Sequence, residues 1–202
     1  MKVVFEKKEY DIKSLTIEQY SAIKDNPNIS EVQLIHLLTD IPVSEVMEAP
    51  MTDVKFVAQM LLGQYSTATE ASELPLVIQI DGLNYGLMRP SKLSYEEWIN
   101  LEVFFSQSPM DLTKLATHFY RPTINDKIGE ERELIPYSLE ECQSRENLFR
   151  KKFQMNWLMA AVFFFQTFVK ILTEDSQSSF LKNKKNNKIY QTLQNLKKSS
   201  NL

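Results

Sequence analysis

Apolar positions along this 202-residue chain recur at two different periods, and the switch between them lays out the elements. In the C-terminal third, Phe149, Phe153, Trp157, Ala161, Phe164, Phe168 and Ile171 fall at steps of three and four, which predicts one helical face over residues 146–172. Met155, Met159, Val162, Phe163 and Val169 fill much of the remaining circumference. A helix apolar nearly all round sits either in a soluble core or in a bilayer. The uninterrupted run Trp157–Phe165 is far shorter than the roughly 20 residues of a membrane span, and charged or polar residues flank it closely on both sides. The stretch reads as a long aromatic core helix.

Elsewhere the period drops to two. Leu76–Ile80 and Leu83–Met88 flank Asp81-Gly82, a pair suited to a type I′ hairpin because both central positions need positive φ. That register sets Ile80 opposite Leu83, Ile78 opposite Tyr85 and Leu76 opposite Leu87 on a core face. Gln79 with Asn84 and Val77 with Gly86 form a wetter one. Val3–Phe5 and Tyr10–Ile12 predict a first hairpin around Glu6–Glu9, with Phe5 facing Tyr10 and Val3 facing Ile12.

Helix starts are marked by Ser or Thr three residues before Gln or Glu: Thr16/Gln19, Ser30/Gln33, Ser94/Glu97 and Ser138/Glu141. Ser44 is expected to cap a short turn after Pro42, Thr52 or Asp53 to open the next helix, and Asp111 to cap another. Asn26-Pro27-Asn28, Pro50 and Pro122 mark ends. Residues 123–137 are charged and irregular, either mobile or a contact surface. Both hairpins run into a capped helix carrying an aromatic at the same place, Tyr20 and Trp98, so the two could share one small sheet.

The expected fold is α+β and mainly helical, with small antiparallel hairpins packed with a helical bundle around the long aromatic helix. The expected organisation is a hairpin with short helices in 1–63, a linker at 64–75, a second hairpin with the helical core in 76–173, and a basic, partly disordered tail at 174–202.

Four glycines in the whole chain leave little room for phosphate-cradling loops. The net charge of −3 is uneven: residues 174–202 carry six Lys against Glu174 and Asp175, giving +4, and the rest carries −7. A mildly acidic body does not point to nucleic acid. The single Cys142 has no intrachain partner and reads as an inert helix residue. MKVVFEKKEY lacks the apolar core of a signal peptide, so an intracellular setting, bacterial or within an infected bacterium, is expected.

Reaction chemistry is not signalled. His36 and His118 stand alone, without HExxH or CxxC spacing, and read as residues at the edge of helix faces; no metal site is expected. Phosphate-loop, dinucleotide and nucleophile-elbow motifs do not occur. The pairs Glu96-Glu97, Glu130-Glu131 and Glu140-Glu141 read as solvated charge, since adjacent helix residues point apart. Neither enzyme activity nor a cofactor is expected. In the tail, Ile189, Leu193 and Leu196 share one helical face among lysines. That pattern suits a frayed end or a partner-binding helix that folds on docking. By expected exposure, Tyr120 and Arg121 join them as candidate partner-binding residues.

Residues 29–62, ISEVQLIHLLTDIPVSEVMEAPMTDVKFVAQMLL, resemble the tail assembly chaperones of tailed bacteriophages. The shared cadence is a helix closing on Leu-Leu-Thr, an Ile-Pro break, a turn before Pro50 and a Thr/Asp-started helix. IDGLNYGLMRPSKLSYEEWINLEVFF, followed by KLATHFYRP, resembles small structural-module proteins from phages of Bacteroidetes, including crAss-like phages. The resemblance implies binding without a reaction. Implied partners are a tape-measure, tail-tube or portal/connector protein, with no small-molecule substrate, no membrane, and self-association compatible. The implied setting is the host bacterial cytoplasm during assembly. A structural virion protein, such as a connector, ring or packaged cargo protein, is the alternative.

Overall fold

The computed structural model describes residues 2–5, 8–12, 14–67, 73–125 and 132–171. The protein is α+β and mainly helical, with two small antiparallel sheets. The described residues up to Val162 form one compact unit, and those from Phe163 belong to a second.

The first sheet is the hairpin β1 (Lys2–Phe5) and β2 (Lys8–Asp11). Its register differs from the expected one by two residues: Val3 faces Tyr10 and Phe5 faces Lys8. A two-residue slip keeps every side chain on its face, so alternation alone does not separate the two registers. Val3 and Phe5 are buried either way.

Helices α1 (Ile17–Asp25), α2 (Glu31–Thr39), α3 (Val43–Glu48) and α4 (Met51–Thr67) follow. Thr16 and Ser30 form the reciprocal capping boxes that their spacing predicts. Ser44 does not cap α3; Pro42 occupies that place, with its fixed φ suiting a helix start. Leu34, Ile35, Leu38, Val57, Ala58 and Leu61 are buried where α2 packs on α4. Helix α4 runs to Thr67, into the stretch expected as linker, and Tyr65 near its end stacks on Tyr20 of α1 at 5.2 Å.

The second sheet has the order β3 (Val77–Ile80), β4 (Leu83–Leu87), β5 (Tyr120–Pro122). The β3–β4 register is the predicted one, and Asp81 (φ 49°) and Gly82 (φ 82°) both take positive φ. The two hairpins lie in separate sheets, so the shared sheet suggested by their sequence echo is not formed. Instead β5 pairs with β4, setting Arg121 opposite Gly86 and Tyr120 opposite Leu87.

On the side of the hairpin expected to be wet, Val77 and Gln79 are exposed and only the Gly86 end is covered, while Leu76 and Leu83, expected on the core face, are exposed. Thr123 bridges Leu134, Ile124 N–H donates to Glu133 O at 2.9 Å, and Ile135 N–H donates to Pro122 O at 3.0 Å. Both described ends of the 123–137 segment therefore extend the sheet, and Gly86 lies buried beneath Arg132 and Leu134. A Cβ at Gly86 would stand 2.6 Å from Leu134 Cδ2 and 2.7 Å from Arg132 Nε. Arg132 is pinned by its own hydrogen bonds and cannot swing aside freely. Gly86→Ala is thus expected to lower unfolding free energy by about 1–3 kcal/mol, read as a lower midpoint in denaturant with an unchanged slope.

Helices α5 (Tyr95–Ser106), α6 (Leu112–Phe119) and α7 (Leu139–Lys152) complete the first unit with the start of α8, residues 155–171. Ser94 forms a full capping box, and Asp111 and Ser138 cap by single bonds to Lys114 N–H and Glu141 N–H.

The expected single helix over 146–172 is broken. Phe153 leaves helical geometry (φ −76°, ψ 128°), and Gln154 bridges Thr16. Ile17 N–H donates to Phe153 O at 3.1 Å and Met155 N–H to Leu15 O at 2.7 Å, so a distant segment satisfies the groups that the break frees. The break rotates the buried face. Phe149 and Phe153 are fully buried, stacked at 5.1 Å and met edge-on by Tyr85 and Tyr120, while Trp157 is half-buried. In α8 the buried positions are Met155, Leu158, Ala160, Ala161, Val162 and Phe165, whereas Phe163, Phe164 and Ile171 are exposed.

Candidate functional site

The short strand β5 places two of the residues singled out by sequence. Alternation along a strand sends neighbours to opposite faces. Tyr120 goes to the core rather than to the surface. It is fully buried, its hydroxyl donates to Pro75 O at 2.7 Å, and burial pushes its phenol well above the usual range. Its expected exposure is corrected: a phenol on an aromatic core face is shielded once Phe153 packs on it at 5.2 Å. Arg121 points the other way, and its Nη1 lies 3.1 Å from Glu97 Oε1. Ile189, Leu193 and Leu196 lie outside the described residues.

Glu97, expected as solvated charge, is buried. One carboxylate oxygen accepts the Ser94 N–H at 2.8 Å and the other meets Arg121, so the capping box and the ion pair share one side chain. The capping spacing was legible; its pairing with a residue 24 positions away was not.

Arg132 enters the same region from the far end of the 123–137 segment. It is buried, with Nη1 donating to Leu76 O at 2.6 Å and Nη2 to Leu87 O at 3.1 Å, and it makes no ion pair among the described residues. Arg89 Nη2 donates to Arg132 O at 3.3 Å. Burial, then the neighbouring Arg89 charge, pull the Arg132 guanidinium pKa down. Nothing in the sequence pattern marks Arg132, because its carbonyl partners lie 56 and 45 residues away.

These side chains line a cleft of about 320 Å³ with Lys92, Glu133 and Tyr137. Tyr137 Oη accepts from Asn100 Nδ2 at 2.8 Å, and burial first of all raises its pKa to about 12.

Behind the cleft, His118 is buried rather than at a helix edge. Its ring stands 4.9 Å from Phe104 and 4.7 Å from Tyr137. Neither ring nitrogen has a hydrogen-bond partner among the described residues. Burial, then the Arg121 and Arg145 charges, lower its pKa to about 4, so the ring is neutral at pH 7. Cys142 is buried beside Thr117 O, and burial raises its thiol pKa, away from a reactive thiolate. His36 is exposed, with Nδ1 2.8 Å from Ile41 O. Among the described residues no cluster of His, Cys, Asp or Glu is placed to hold a metal, and no helix is long and apolar enough to cross a membrane.

A second kind of surface lies on α3 and α4. Met47, Met51 and Phe56 are 69%, 70% and 68% exposed within ten residues of chain, flanked by exposed Val43 and Leu62. On α5, Tyr95, Ile99 and Val103 form an exposed stripe at steps of four, with Tyr95 82% exposed. Neither face was visible as exposed in the sequence. The same helical periodicity describes a buried face and a docking face.

No family model, curated protein or solved structure matches the chain.

Proposed function

We propose that this chain is a non-enzymatic bacteriophage assembly protein. In this reading it is a tail assembly chaperone that binds tape-measure or tail-tube protein in the host cytoplasm. The observation that carries the reading is the exposed Met47, Met51 and Phe56 surface of α3 and α4. Scattered apolar residues on a surface are ordinary, but three long apolar side chains about 70% exposed within ten residues of chain support a contact role for α3 and α4. Methionine side chains are flexible and polarizable, so they match partner surfaces of varied shape. That property suits a protein that holds another chain temporarily. The α5 stripe, spaced as an i, i+4, i+8 ridge, offers a second contact of the kind that enters a helical groove.

In this reading the aromatic end of α7 is part of the frame of the helical core. Stacking of Phe149 on Phe153 supports it. The resemblance of residues 29–62 to tail assembly chaperones covers α2, α3 and the start of α4, the elements that carry the methionine surface.

Mass spectrometry of purified particles and of assembly intermediates tests the class. A chaperone is expected in the intermediates and absent from finished particles. Stoichiometric recovery from finished particles would instead make it a structural virion protein.

A further inference from the structure

His118 sits in a buried site that gives its ring no hydrogen bond. Phe104 of α5 meets the ring edge-on at 4.9 Å, and the Tyr137 ring packs against it at 4.7 Å. Both ring nitrogens are buried and without a partner among the described residues. The charged groups that face it, Arg121 of β5 and Arg145 of α7, both oppose a proton there. Their neighbouring carboxylates are engaged: Glu97 of α5 lies 3.1 Å from Arg121, and Glu141 of α7 lies 3.4 Å from Arg145. Burial keeps the Cys142 thiol and the Tyr137 phenol protonated and neutral. An imidazolium would thus bury two N–H donors without acceptors, beside two like charges.

The two aromatic walls are held unequally. Phe104 is buried on α5, a 12-residue helix opened by a full capping box. Tyr137 is half-buried on irregular chain after Pro136, which has no N–H to donate. Its hydroxyl accepts from Asn100 at 2.8 Å, and the chain before it is tied to the sheet through Ile135 N–H. Segments with few backbone hydrogen bonds are the first to open. We infer that residues 135–138 are a proton-operated lid: when His118 takes a proton, Tyr137 lifts away and water reaches the ring. The closed-lid pKa of about 4 lies below the ordinary 6.5, so the proton favours the open state. The lid is held fully shut above about pH 6.5, and that hold weakens as pH falls toward 4. Its opening equilibrium should rise on the order of 20-fold between pH 7 and pH 5. This inference is independent of the assembly reading.

Two measurements on the full chain test the lid. The first is an NMR titration of the ring C–H signals of the two histidines, His36 and His118. The His118 midpoint is expected near 4 in the wild type. In Tyr137→Ala, which removes the lid from a half-buried position, it should move most of the way to 6.5. The second is hydrogen exchange of the Ile135 amide, corrected for the intrinsic effect of pH. This amide should exchange through a smaller opening than the one that exposes the α2 and α4 amides. Its protection should fall on the order of 20-fold from pH 7 to pH 5, and most of that fall should vanish in His118→Phe. An unchanged His118 midpoint in Tyr137→Ala overturns the inference. So does Ile135 exchange that occurs only together with α2 and α4, or an equal fall in His118→Phe.

Discussion

Glu97→Ala is expected to lower unfolding free energy by about 3–5 kcal/mol, the cost of leaving one member of a buried ion pair alone. The side chains of Glu97 and Arg121 are 6% and 11% exposed, so water does little to stabilise whichever charge remains. The expected effect is asymmetric. Removing Glu97 leaves Arg121 in a cleft that already holds Arg89, Lys92 and Arg132. Removing Arg121 leaves Glu97 with the Ser94 N–H as donor and with those other cations nearby. Arg121→Ala should therefore destabilise less than Glu97→Ala. Glu97→Gln separates the contributions, because an amide oxygen can still accept from Ser94 while the charge is gone. It should show most of the loss. Denaturant unfolding of the three variants measures the order, and an Arg121→Ala loss equal to or above that of Glu97→Ala would contradict it.

Below pH 6.5 a second large effect is expected, centred on His118. Its folded pKa, about 4, lies below the ordinary histidine value of 6.5, so the unfolded chain binds the proton more readily between those limits. The neutral ring's contribution is full above about pH 6.5 and is lost as pH falls toward 4. The pKa difference corresponds to on the order of 3 kcal/mol across that window. Carboxylates titrate there as well, so the signal is the difference between the wild type and His118→Phe. Phenylalanine suits the aromatic site between Phe104 and Tyr137 and removes two ring nitrogens that have no partner among the described residues. The variant should match or exceed wild-type stability at pH 7, with an advantage that widens as pH falls to 4. Parallel stability curves for the two proteins would contradict this.

What the sequence made legible was local. The Asp81-Gly82 turn fixes its own register, and a capping box joins residues only three apart, so both could be read from spacing. The features that failed were those decided by distant segments. A helical pattern runs unbroken through Phe153, yet Leu15 and Ile17 supply hydrogen bonds that let the chain leave the helix there. Tyr120 and Arg121 look like the frayed end of α6 until β4 offers them an edge. Arg132 looks like one more charge in a polar run, and its burial depends on the glycine at position 86 leaving room. At the candidate site, sequence supplied Arg121 and the capping role of Glu97, while the cleft that unites them with Arg132 is a product of the sheet. The exposed methionines illustrate a different limit: periodicity tells which residues share a face and not what covers it.

The central claim is that the protein works by gripping another protein through the α3–α4 surface. Sedimentation velocity of the full chain mixed with a candidate tape-measure or tail-tube protein from the same genome tests that claim most directly. The wild type should form a complex, and Met51→Glu with Phe56→Glu should abolish it while keeping the wild-type melting temperature, since both side chains are solvent-exposed. A complex that persists undiminished in the double variant, or no complex with either protein, would contradict it.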